Sequence, residues 1–281
     1  MPTSPFSDHA VSLPAPLLRP FIANYAGYFA DGVAPGMHAG LPSRHAHIFI
    51  SLDQPIEIVR MPRPSARAGA FASFVTGLQD APALVRNAST LHHLHVLLTP
   101  FGVRALLGAS PADLASCVFD LSDFWGGSAG GLIDRLISAD TWPNRFAILD
   151  EVFGRALRPF AAPNEILWAW SRLGQARGSV SIQDLADDIG WSRRHFSERF
   201  RREIGITPKT AARIFRFEHS CSLIKKNRPS LAQVAFDCGY HDQAHMTREW
   251  NSLAGCTPKS WIAGQLPFVQ DYELAGCNDV P

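Results

Sequence analysis

The chain has 281 residues, 46% of them hydrophobic and 18% charged, with 26 Lys+Arg against 25 Asp+Glu. That length suits two domains rather than one, and so apolar a pool fills cores instead of leaving a disordered chain. A formal net charge of +1 excludes a uniformly basic nucleic-acid coat protein and a polybasic membrane binder.

The charge is unevenly placed. Residues 1–163 carry 11 Lys+Arg and 12 Asp+Glu, residues 164–262 carry 15 and 10, and residues 263–281 carry none and 3. Lys209, Lys225, Lys226 and Lys259, the four lysines of the chain, all lie in the middle block. A basic block behind a near-neutral one points to a polyanion-binding module attached to something else. The five cysteines (Cys117, Cys221, Cys238, Cys256, Cys277) are odd in number and form no C-x-x-C pair. They read as reduced thiols and small hydrophobes, not as a disulfide framework or zinc knuckle. The N-terminus has no basic region followed by an apolar run, and no stretch approaches the roughly 18 uninterrupted apolar residues of a membrane span. A soluble, cytoplasmic protein is expected.

In chain order, His45–Leu52 and Ile56–Arg60 read as two strands joined by the turn Asp53-Gln54-Pro55, and Ala70–Leu78 and Leu91–Leu98 as two more. In the last, Leu94, Val96 and Leu98 take one side while His93 and His95 take the other. Helical spacing takes over at Gly131–Ala139 and Arg145–Leu157, and Pro159 to Pro163 reads as a linker. Asn164 is a candidate N-cap for a helix with Ile166, Leu167, Trp170 and Leu173 on one face, ended by Gly178.

Beyond it lies an internal repeat. Ile182-Gln-Asp-Leu-Ala-Asp-Asp-Ile-Gly-Trp191 aligns with Leu231-Ala-Gln-Val-Ala-Phe-Asp-Cys-Gly-Tyr240 at an offset of 49. Phe196/Met246, Phe200/Trp250, Gly205/Gly255 and Thr207-Pro208-Lys209/Thr257-Pro258-Lys259 follow at an offset of 50. Each copy describes a helix, a glycine turn and a second, aromatic-anchored helix, which is the helix-turn-helix arrangement whose second helix enters a major groove. The first such helix displays Arg193, Arg194, His195, Ser197, Glu198, Arg199, Arg201 and Arg202 around inward Phe196 and Phe200. Between the copies, Pro208 to about Lys226 reads as a helix of roughly 18 residues, or about 27 Å. That is comparable to the ~34 Å between successive major-groove faces on one side of a duplex.

These motifs resemble the AraC-type family of bacterial transcriptional regulators. The resemblance covers about residues 164–264 and rests on the two repeat copies and on Arg216-Phe217-Glu218 in the linking helix. It implies an α+β protein. An N-terminal β-rich, cupin-like sensor or dimerisation domain with trailing helices would occupy 1–160. An all-α DNA-binding domain would occupy 164–264, with its two helix-turn-helix units at about 180–205 and 229–255 joined by a long helix, and 265–281 would form a tail. Asn24–Tyr28, Gly40–Ser43 and Leu98–Gly102 resemble sensor domains attached to such regulators. By the same resemblance, the base-facing positions are Arg194, Ser197 and Glu198 in the first unit and Gln243, Ala244, His245 and Arg248 in the second. Arg194 and Arg248 could read guanine, Gln243 adenine, and Glu198 could accept from cytosine or orient an arginine. Arg193, Arg199, Arg201, Arg202, Thr247 and Lys259 suit phosphate. Departures are Met246 and Trp250 where the family usually has phenylalanine, Ala244 without a hydrogen-bonding group, and Glu198 where a basic residue is common.

The resulting expectation is a non-enzymatic, sequence-specific transcription regulator without a cofactor. Its partners would be double-stranded DNA over two successive major-groove segments, a small-molecule effector, a second copy of the chain and, for an activator, RNA polymerase, with no membrane. The alternative is a metal- or substrate-binding cupin-like enzyme with a helical interaction domain. For that, His45 and His47 on one strand face and His93 and His95 on another would have to meet around Zn²⁺, Fe²⁺ or Mn²⁺. A metal-dependent cupin enzyme normally shows a carboxylate soon after its His-x-His, and Ile48–Leu52 supply none. The four are therefore read as half-exposed strand residues.

Overall fold

The computed structural model describes residues 6–226 and 230–263; the expected tail at 265–281, with Cys277, lies outside them. Two antiparallel sheets come first. One has six strands in the order β1 (Phe6–Ser12), β2 (Ile22–Asp31), β9 (Thr90–Leu98), β4 (Ala46–Ser51), β7 (Ser73–Thr76) and β10 (Val118–Asp120). The other has four, in the order β3 (Gly36–Gly40), β8 (Ala83–Asn87), β5 (Ile56–Arg60) and β6 (Gly69–Phe71).

The expected strands are present, but two of their connections differ. β4 and β5 do not pair with each other: Asp53-Gln54-Pro55 is a corner that carries the chain from one sheet to the other. Ala70–Leu78 is likewise two strands, β6 and β7, parted at Ala72 and assigned to different sheets. Periodicity in one strand cannot tell a hairpin from a corner, because both preserve alternation within each strand.

The alternation sorts the side chains of the larger sheet into two layers. Ile48 and Ile50 on β4, with Leu94, Val96 and Leu98 on β9, are fully buried in the cluster that also holds Phe146, Leu149 and Phe153 of a covering helix. Tyr25 stacks on Phe146 and Phe153 at 5.9 and 6.3 Å, and its hydroxyl donates to Asp150 at 2.9 Å. The opposite face of β4 and β9 turns toward the smaller sheet.

Short helices follow: α1 (Pro100–Gly102), running into a π-helical turn at Val103–Leu107, then α2 (Pro111–Leu114), α3 (Ser122–Trp125), α4 (Ser128–Ile137) and α5 (Trp142–Ala156). Residues 157–163 carry no regular structure, as the two prolines suggest. α6 (Asn164–Gln175) starts one residue earlier than expected, with Pro163 at the cap position and Asn164 already helical. It buries Ile166, Ala169 and Leu173, whereas Leu167 is exposed. The remainder is α7 (Ile182–Asp188), α8 (Arg193–Ile204), α9 (Pro208–Lys225), α10 (Leu231–Asp237), α11 (Gln243–Ala254) and α12 (Pro258–Ala263). Among the described residues no helix is long and apolar enough to cross a membrane.

Polar contacts join the sheets to the helices. Glu218 on α9, 4% exposed, accepts from the Arg44 backbone N–H at 2.8 Å and from its Nε at 2.5 Å, while the Arg44 guanidinium lies 4.7 Å from the Phe215 ring centroid. Arg104 donates to the Arg202 carbonyl at 3.1 Å and faces Glu203 at 3.3 Å. Truncating one member of a mostly desolvated pair leaves the other's polar groups without compensation. Glu218→Ala is therefore expected to lower unfolding free energy by about 2–3 kcal/mol, as measured by urea denaturation; an unchanged midpoint would mean that water serves Arg44 equally well.

Candidate nucleic-acid interface

The repeat in the sequence is a repeat in space. α7 and α10 have 7 residues each, α8 and α11 have 12 each. The change of offset from 49 to 50 falls in the turns, which hold residues 189–192 in one copy and 238–242 in the other.

Each first helix closes in the same way. Gly190 and Gly239 have φ of +72° and +71°, a backbone state that side-chain-bearing residues adopt at a cost. Gly190 N–H donates to Asp187 O at 3.0 Å and Trp191 N–H to Ala186 O at 2.9 Å; Gly239 donates to Phe236 O and Tyr240 to Ala235 O at the same distances. This is the Schellman arrangement, which satisfies the last carbonyls of the helix and reverses the chain. Ser192 then caps α8 by accepting from His195 N–H, and Asp242 caps α11 the same way. Hydrogen bonds to His245 N–H and the His241 ring hold the Asp242 carboxyl below its usual range. Even side-chain details recur: Gln183 donates to Asp187 and Gln233 to Asp237, each at 2.8 Å. Ala186 and Ala235 are buried where the second helix crosses.

Phe196, Phe200 and Ile204 anchor α8, and Met246, Trp250 and Leu253 anchor α11; all six are fully buried. The departures from phenylalanine at Met246 and Trp250 are thus accommodated in the core, where Trp250 donates to Ser220 Oγ at 2.9 Å and packs on Phe217 at 4.9 Å. The Arg216-Phe217-Glu218 stretch has three separate tasks. Arg216 donates to Gly178 O at 3.0 Å and faces Glu249 at 3.5 Å, Phe217 packs under α11, and Glu218 holds Arg44.

With the apolar faces buried, the opposite faces carry the expected contact residues. Arg193, Arg194, Glu198, Arg201 and Arg202 are exposed on α8, with Ser197 and Arg199 half-buried. On α11, Gln243, Ala244 and Arg248 are exposed and Thr247 is half-buried, its hydroxyl back-bonded to Gln243 O at 2.9 Å. Lys259, on α12, is exposed. Glu198 pairs with Arg194 at 2.9 Å, four residues away on the same helix. Arg248 makes no hydrogen bond or ion pair among the described residues. His245 is engaged instead: its Nδ1 accepts from His241 N–H at 3.3 Å, its ring meets Tyr240 edge-on, and its Nε2 faces Glu249 at 3.7 Å.

Residues 185–264 match the family model described as a helix-turn-helix domain. Residues 185–264 are an AraC-type helix-turn-helix domain. This AraC-type domain is similar to parts of the HTH-type transcriptional regulator YbfI of Bacillus subtilis, at 33% identity over 69 residues, 24% of each chain. It is also similar to an HTH-type transcriptional regulator of Staphylococcus aureus, at 23% over 100 residues, 36% of this chain and 13% of that one. The match therefore spans a quarter or less of those relatives' length. Beyond the AraC-type domain, 85% of this chain resembles in fold 97% of an apo ToxT variant from Vibrio cholerae, with a TM-score of 0.50 at 11% identity.

The histidines fall elsewhere, between the sheets. β4 and β9 are neighbours in one sheet, so the two His-x-His faces lie side by side, not opposed. His45, His47 and His95 are buried, contrary to the half-exposed reading. His47 Nδ1 and His95 Nε2 share a hydrogen bond at 2.7 Å, and Ser43 Oγ meets His47 Nε2 at 2.8 Å. Among the described residues no group of three or more His, Cys, Asp or Glu is placed to hold a metal ion. Around His47 and His93 lies a cavity of about 90 Å³ between the sheets, walled by Phe49, Ile58, Phe74 and Leu91, with Thr76 and Gln79 among its polar groups. Sequence reading missed this cavity, because its walls come from strands far apart in the chain.

Burial, reinforced by neighbouring His92, His38 and His95, lowers the His93 pKa to about 3; burial alone lowers His95 to about 3. The unfolded chain takes up these protons near pH 6.5 and the folded chain only near 3. Stability present above pH 6.5 is then lost as pH falls toward 3, by up to about 1.4 kcal/mol per pH unit for each histidine. Urea midpoints measured from pH 7 to pH 4 are expected to fall, and His93→Gln to flatten the slope by one proton; parallel slopes would refute that assignment.

Proposed function

We propose that the protein is a sequence-specific DNA-binding transcription regulator, with a β-rich sensor at 1–160 and the DNA-binding domain at 164–264. The observation that carries this reading is the pair of matching helix-turn-helix units, each with its second helix anchored by buried side chains and its polar face open. α9, 18 residues long, spaces them by about 27 Å, which suits successive major-groove segments on one side of a duplex. Arg194, steered by Glu198, and Arg248 read bases, with Gln243 and Ser197 beside them. Arg193, Arg199, Arg201, Arg202, Thr247 and Lys259 hold phosphates, and His245 contributes by stitching its turn as well as by facing DNA.

The cavity between the sheets is the effector site in this reading. The buried Thr76 Oγ1 and Gln79 Oε1 on its wall have no hydrogen-bond partner among the described residues, so a ligand that pairs with them repays their desolvation. Leu41, which lines the cavity, precedes Ser43 and Arg44, so the loop that touches the ligand also grips α9 through Glu218. An effector shifts DNA binding only by preferring one arrangement of that contact. The protein acts in the cytoplasm, without catalysis; RNA polymerase is its partner if it activates, and a second copy of the chain the partner of its sensor half.

Arg194→Ala and Arg248→Ala are each expected to weaken binding to a duplex selected from a genomic library by ~1–3 kcal/mol, with little loss on unrelated duplex. Mobility shifts on both duplexes check this, and equal losses on the two would reassign the side chain to phosphate. Failure of the wild-type chain to shift any duplex would overturn the function.

A further inference from the structure

α8 does not stand alone beside the β-rich part. Positions 194, 197, 198 and 201 lie three, four and seven residues apart, along one stripe of the helix, so Arg201 continues the DNA-facing stripe at its C-terminal end. There a cleft of about 360 Å³ joins Arg201 and Thr207 to Pro62, Arg63, Asp80 and Ser116 from the β-rich part.

The loop that brings Arg63 to this cleft has unusual charge and stiffness. From Ile58 to Gln79 the chain carries Arg60, Arg63 and Arg67 and no acidic residue. Pro62 and Pro64 flank Arg63 and restrict the backbone on either side. Arg63 N–H donates to Ser116 O at 3.4 Å, Ala66 N–H donates to Arg63 O at 2.9 Å, and the Arg67 guanidinium sits 5.1 Å from the Phe71 ring centroid. The backbone is thus tied down while the Arg63 residue itself is exposed. Asp80 is the acid lining the cleft, and the Ser116 hydroxyl donates to it at 3.2 Å.

The position of this loop relative to α8 is held by packing. Gly205, at the end of α8, lies so close to Pro111 that a Cβ there would come within 2.6 Å of the Pro111 carbonyl oxygen. Arg104 also ties α1's continuation to the last turn of α8. We infer that Arg63, presented by the arginine-proline loop of the β-rich part, contacts the DNA phosphate backbone next to the first recognition helix. The β-rich part then contributes directly to affinity and not only to regulation. A phosphate there meets Arg63 and Arg201 together, and this contact carries no base information. The inference rests on the DNA-binding reading above.

The test uses the full chain, with fluorescence anisotropy on the selected duplex and on an unrelated duplex across a salt series. Each neutralised phosphate contributes about 0.9 to the slope of log K against log salt. Arg63→Ala is expected to weaken both duplexes several-fold alike and to reduce the slope by about 0.9, with Arg63→Lys retaining the slope. Arg63→Glu, read beside its melting temperature, should weaken binding further without unfolding. Wild-type affinity and slope in Arg63→Ala and Arg63→Glu, while Arg194→Ala still loses the selected duplex, would overturn this inference and leave the DNA-binding reading standing. A wild-type chain that binds no duplex would overturn both.

Discussion

The C-terminal half depends on one backbone device used twice. A glycine at positive φ lets two amide N–H groups turn back onto the final carbonyls of a short helix, and the chain leaves in the direction that the next helix requires. Helices of 7 residues are too short to be stable in isolation. Each persists because its turn is closed by those bonds, and because Ala186 or Ala235 lets the following helix pack close enough to bury its aromatic anchor. The polar face of that second helix is then exposed by default, since the apolar face has only one place to go.

The β-rich half solves a different problem. Its larger sheet is covered on one side by α5 and on the other by the smaller sheet, so its strands have two apolar or desolvated faces. On the inner face, burial lowers the pKa of His93 and His95 and so favours their uncharged form, while His47 pairs with His95 and with Ser43. Thr76 Oγ1 and Gln79 Oε1, which have no hydrogen-bond partner among the described residues, sit on the cavity wall, where a bound molecule can reach them.

The junction makes the two halves mechanically continuous. Glu218 and Arg216 lie two residues apart on α9 and point to different neighbours: one to the loop beside the cavity, the other to Gly178 and Glu249 within the helical half. A helix gripped at both faces transmits a displacement of one neighbour to the other more readily than a free linker does, because packed elements shift between discrete arrangements.

The sequence alone determined the helical half almost completely. Repeat length, turn glycines, capping residues and inward aromatics are local features, decided within about 25 residues of chain, and local hydrogen bonds and side-chain periodicity express them directly. It also determined that Arg194 and Glu198, four residues apart on one helix, could pair. The tertiary structure decided what depends on non-local pairing. Only strand order showed that Asp53-Gln54-Pro55 is a corner, that Ala70–Leu78 serves two sheets, and that His47 and His95 adjoin in one sheet with a cavity beside them. Arg44 with Glu218, and Arg63 beside Arg201, were equally invisible. Contacts between residues more than a hundred positions apart leave no periodic trace, since they arise from how whole layers pack and not from the conformation of any one segment.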